Sequence, residues 1–74
     1  MIWLVTKNES FQITGQNLFH NKKEEQFELW GTRLISGKTI LIFASKEEEE
    51  VKLLRDAIDY AIEHGEKTFT LLPE

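Results

Sequence analysis

The chain contains no cysteine, which excludes a disulfide framework and any thiolate-held metal or iron–sulfur centre. Its one proline, Pro73, stands next to the last residue, and its four glycines are scattered. No linker, low-complexity segment or internal repeat is therefore present. No apolar run approaches the roughly 20 residues needed to cross a bilayer. Basic residues are also outnumbered, nine against thirteen acidic, for a net charge of −4. Phosphate binding depends on clustered lysine and arginine, so nucleic acid is disfavoured as a partner.

What remains has to fold on a modest core. Seventy-four residues make a single domain, 1–74, and a chain of this size buries only about 60% of the surface its unfolded form exposes. Hydrophobic residues at 41% and charged residues at 30% make an ordinary globular mixture. With no disulfide or metal, packing or self-association must supply the stability. The run Met1 to Thr6 has no basic segment before it and meets Lys7 and Asn8 at once, unlike a secretory leader. A soluble, cytoplasmic protein without membrane contact is the expectation.

The apolar periodicity alternates between two periods. Ile2 to Thr6 reads as a short strand, followed by a turn in the polar cluster Lys7 to Ser10. Phe11 and Ile13 alternate with polar neighbours up to Gly15, where a bulge or bend breaks the phase, and Leu18 to His20 can continue the same strand. Asn21 to Glu24 offers a reversal with Asn21 as the turn residue. Beyond it, Phe27, Leu29 and Gly31 point one way while Glu28, Trp30 and Thr32 point the other. Leu34 and Ile35 lead through Ser36-Gly37-Lys38 into Thr39 to Ala44, which predicts a hairpin. That last run is apolar on both faces, as an inner strand would be.

The four consecutive glutamates Glu47 to Glu50 read as the start of a helix. Ser45 and Glu48 have capping-box spacing, and acidic side chains in a first turn complement the helix dipole. The helix is predicted over about residues 46–64, roughly five turns, with Gly65 closing it in the left-handed conformation. Val51, Leu54, Ile58, Ala61 and Ile62 form its core stripe. Leu53, Ala57 and Tyr60 widen the apolar arc to about 200°, more than one sheet face covers. Lys67 to Leu72 then alternates and reads as a final strand ending at Pro73. The fold class is α+β: a mostly antiparallel sheet of four to five strands packed by one long helix near the C-terminus, followed by a last strand.

Catalytic chemistry has few candidates. His20 and His64, the two histidines, are the residues that titrate near neutrality unaided, and neither sits in a motif. No H-E-x-x-H spacing predicts a metal. Gly37-Lys38-Thr39 lacks the earlier glycine of a phosphate loop and is followed by strand rather than helix. No G-x-S-x-G elbow occurs. Neither a catalytic residue nor a cofactor or metal site is predicted, and a small enzyme is the weakest reading.

Aromatic residues carry more signal. Phe11, Phe27 and Phe43 belong in a core by their strand phase. Trp30 is out of phase with Phe27 and Leu29, so it stands on the other sheet face. Trp30 with Leu53, Ala57 and Tyr60 forms the candidate interface, an apolar excess that a second copy of the chain, or another protein, would cover. Trp30 and Phe19 with Lys22, Lys23 and Arg33 make the alternative, a face that stacks unpaired bases of single-stranded nucleic acid.

Taken over the whole chain, and most of all in the stretch Ile35 to Phe69, ISGKTILIFASKEEEEVKLLRDAIDYAIEHGEKTF, the sequence resembles the short, acidic, cysteine-free proteins of unknown role encoded in Bacillus-type phages and prophages. The resemblance implies a protein acting in the bacterial cytoplasm by binding a host or phage protein, and it supplies no site residues. The expected function is a small non-catalytic protein-interaction module working as a homodimer.

Overall fold

The computed structural model of the chain describes residues 1–6 and 9–71. Its elements run β1 (Ile2–Val5), β2 (Ser10–Asn21), β3 (Gln26–Arg33), β4 (Thr39–Ser45), α1 (Glu48–Glu63) and β5 (Thr68–Thr70). Strands β1 to β4 form an antiparallel meander, as short connections between consecutive strands favour. The helix then carries the chain from one edge of the sheet to the other, where β5 pairs in parallel with β1. The sheet order is β4-β3-β2-β1-β5. This is the expected α+β class, a mostly antiparallel sheet with one C-terminal helix and a final strand.

The bulge expected near Gly15 is present as a register shift between Ile13 and Gly15. Its effect is to reset the side-chain phase. Phe11 and Ile13 before it, and Gln16 and Leu18 after it, all face the helix, so one 12-residue strand serves both halves of the sheet. The turn after β2 forms where predicted, with the Asn21 side-chain oxygen accepting the Glu24 N–H at 3.1 Å. Gly37 and Gly65 adopt φ of +69° and +72°, the left-handed region glycine tolerates. At the second of these, Glu66 N–H reaches back to Ala61 O at 2.9 Å and closes the helix.

Ile2, Leu4, Phe11, Ile13, Leu29, Val51, Ile58 and Ala61 make the core between sheet and helix, with Leu54, Ile62, Phe27 and Phe43 packed around it. Gly31 belongs to this layer for a steric reason. A Cβ there would lie 2.8 Å from Ile42 Cδ1 and 3.1 Å from Ile13 Cγ2, so the side chains of two neighbouring strands occupy its place.

The structure corrects four expectations. Ser45 does not form a capping box with Glu48. Because β4 runs through Ser45, which stays paired with Phe27, the helix begins at Glu48 with Glu47 as an N-cap that makes no side-chain cap bond. Ser45 Oγ instead accepts the Glu47 N–H at 3.0 Å and donates to Glu50 at 3.2 Å. Leu34 and Ile35 lie in the turn after β3 rather than in a strand, and Ile35 is 95% exposed. The apolar composition of β4 predicts an inner strand, but β4 is an edge strand, since the crossover delivers β5 to the far side. Finally, β5 is limited to Thr68–Thr70. Leu72 and Pro73 lie outside the described residues, as do Lys7 and Asn8 of the first expected turn.

Candidate functional site

The five strands contain one carboxylate, Glu28, and it is only 6% exposed although it stands on the face away from the helix. Strand alternation puts it there beside Trp30, and cross-strand pairing sets it between Phe19 of β2 and Ala44 of β4. A buried charge at such a place needs donors, and three side chains supply them. Gln26 Nε2 donates to Glu28 Oε2 at 2.6 Å, Asn21 Nδ2 to the same oxygen at 3.1 Å, and Trp30 Nε1 to Oε1 at 3.0 Å. These hydrogen bonds, Gln26 first, hold the carboxyl below its ordinary value of 4.5 against the opposing effect of burial. The consequence is mechanical: a carboxylate with both oxygens engaged fixes the Trp30 indole edge and the end of the β2–β3 hairpin in one arrangement.

The face around Glu28 is otherwise uncharged on the strands. Trp30 pairs with Asn17 on one side and Leu41 on the other. Phe19 and Leu41 are exposed. Farther along, Trp3 pairs with Gln12 and is 42% exposed. Lys22 and Lys23 sit in the turn beyond the end of this face. Arg33 is not grouped with them. Its guanidinium lies 5.4 Å from the centre of the Phe11 ring and 3.9 Å from Glu9, at the opposite end of β3. The residues Trp30, Phe19, Lys22, Lys23 and Arg33 thus split between two ends of the sheet.

On the helix, Leu53, Ala57 and Tyr60 share an outer stripe, as the spacing requires; Leu53 is 68% and Tyr60 64% exposed. Trp30 lies on the far side of the sheet from them, so the four candidate interface residues form two separate surfaces. The histidines are stacked. His20 packs on Phe27 with ring centres 4.4 Å apart and His64 on Tyr60 at 3.9 Å, its Nδ1 being 2.9 Å from Tyr60 O. They are at opposite ends of the chain's long hairpin and helix and form no joint site. Among the described residues, no three His, Asp or Glu side chains are grouped so as to hold a metal ion, and no helix is long and apolar enough to cross a membrane.

Two features escape the sequence reading. The first is the Glu28 cluster, whose only sequence signal is a glutamate alternating with apolar residues inside a strand. The second is an open crevice of about 480 Å³ lined from both edges of the sheet, by Ile42 and Phe43 of β4 and by Phe69 and Leu71 at β5, with Leu53 and Leu54 of α1 alongside. Glu50 stands at its margin. No local pattern announces it, because its walls are joined only by the tertiary fold. Compared with family models, curated proteins and solved structures, the chain finds no match in any of the three.

Proposed function

We propose that the protein is a small, non-catalytic interaction module that works in the cytoplasm as a homodimer. One observation carries this reading: a folded protomer of this size leaves Leu53 and Tyr60 exposed on the helix, Phe19, Leu41 and Trp3 exposed on the opposite side of the sheet, and Ile35 exposed in a turn. Single exposed apolar residues are normal, but this many on so small a protein suit association. The rigid hold on Trp30 also suits a binding surface, since a pre-ordered aromatic loses little entropy when covered. The whole-chain resemblance to phage-encoded proteins, if it holds, implies a cytoplasmic partner. Light scattering during size exclusion tests the proposal. A dimer at tens of micromolar is expected, and a clean monomer over that range sinks it.

A second reading rests on the strand face around Glu28, which carries aromatic rings and no exposed carboxylate. Such a face could stack unpaired bases. It predicts salt-dependent binding to a single-stranded oligonucleotide that is lost in Trp30→Ala, and absence of binding in low salt removes it.

A further inference from the structure

Strand β4 is an edge whose outer backbone groups have no strand partner among the described residues. Its sequence, TILIFAS, contains neither charge nor proline, the usual devices that keep an edge from pairing. One device is present, a bulge that places Ile42 between the pairs Trp30–Leu41 and Leu29–Phe43. That bulge turns the strand without covering it. Beside the same edge, on the helix side, lies the crevice lined by Ile42, Phe43, Leu53, Leu54, Phe69 and Leu71. An extended segment laid along β4 would therefore find both a ladder of backbone groups and an apolar slot for alternate side chains. These are the two requirements of recognition by strand addition.

The charge distribution along β4 selects the occupant. At the end where the strand starts stand Lys38 and, across the turn, Arg33 with its ion-pair partner Glu9, a net positive end; at the end where it stops, Glu47, Glu48, Glu49 and Glu50 outnumber Lys46. The two ends are about 23 Å apart, taking 3.3 Å per strand residue. An edge that is positive at one end and negative at the other is complementary to itself when reversed. A parallel copy would set like charges together, whereas an antiparallel copy sets Lys38 of each chain at the end where the other carries its glutamates. We infer that a second copy of this chain is the ligand, β4 pairing antiparallel with β4 about a two-fold axis between Ile42 and Phe43, the register that sets Lys38 opposite Glu47. Two five-stranded sheets become one continuous sheet, and the crevice with its exposed Leu53 is covered. A seven-residue ladder is short of the roughly 1,200–2,000 Å² of a standard interface, and the apolar crevice beside it adds to the covered area. This arrangement rests on the homodimer reading and specifies its surface.

The test is sedimentation equilibrium on the full chain and three variants, each checked for folding by circular dichroism. Leu41→Lys puts a charge on the edge at a position already 43% exposed, where the protomer tolerates it; dimerisation should weaken by tenfold or more. Lys38→Glu reverses the basic end and should weaken the dimer on the order of tenfold through its two symmetric contacts. Adding Glu47→Lys to Lys38→Glu restores the complementarity and should recover most of the loss. Raised salt should weaken the parent dimer and leave its helix content unchanged. A dimer indifferent to Leu41→Lys and Lys38→Glu overturns this interface while the homodimer reading stands. A chain that is monomeric throughout overturns both.

Discussion

Gln16 offers a test of how the sheet and the helix are joined. Its side chain crosses the layer interface opposite Gly31, and its Nε2 donates to Arg55 O at 3.0 Å and to Asp59 Oδ1 at 2.7 Å. Its Oε1 is buried and has no partner among the described groups. Turning the amide over would aim that oxygen at two acceptors, so the orphan is fixed by its surroundings. Replacing Gln16 by methionine removes both the bonds and the orphan. The two bonds, one partly buried and one exposed, contribute about 2 kcal/mol together, and an unpaired buried oxygen costs about 1–3 kcal/mol. Methionine keeps the length of the stem and is the most adaptable filler for such a gap. Gln16→Met should therefore lie within about 1 kcal/mol of the parent in urea unfolding. Gln16→Ala, which loses the stem as well, should fall a further 1–2 kcal/mol or so below it. On a domain of this size 1 kcal/mol is about 4–8 °C in Tm, so the two variants separate cleanly. If Gln16→Met costs more than about 2 kcal/mol, the oxygen has a partner in solution and the argument fails.

Three further outcomes follow from the packing and the charges. Gly31→Ala should cost about 1–3 kcal/mol by crowding Ile13 and Ile42, and denaturation that leaves its midpoint unchanged would show that these side chains give way freely. Ile58→Ala, at a fully buried helix position, should cost about 2–5 kcal/mol, read by the same assay; a loss under 1 kcal/mol would mean that the helix is not seated as described. The Glu28 carboxyl sits below its ordinary 4.5 in the folded chain. Its stabilisation is therefore complete above that value and is lost as pH falls through the lower folded one. Below about pH 4.5 the parent should lose Tm more steeply than Glu28→Gln, with a parallel change in Trp30 fluorescence, and equal slopes would contradict this.

Much of this molecule was legible residue by residue. The exposed Leu53-Ala57-Tyr60 stripe, the buried Val51, Ile58 and Ala61, the break at Gly15, the reversal at Asn21 and the left-handed close at Gly65 all follow from local period and turn chemistry. Trp30 falls opposite Leu29, as the alternation requires. What failed was less local. The capping box at Ser45 was displaced because a strand held that serine extended, and the ladder decides where a strand ends only once its partner is known.

Thus the sequence alone determined the kinds of element and the inward stripe of the helix. Those properties depend on neighbours within a few residues, and a chain carries them before it folds. Only the tertiary structure decided that β5 would join β1, leaving β4 as an open edge beside a crevice, and that Glu28 and Gln16 would be buried with the partners they have. The β1–β5 pairing and the Gln16 contacts depend on residues distant in the chain brought together by the crossover helix, while Glu28 depends on the register of its own hairpin, which turns Asn21, Gln26 and Trp30 toward it; no periodicity records which groups will meet.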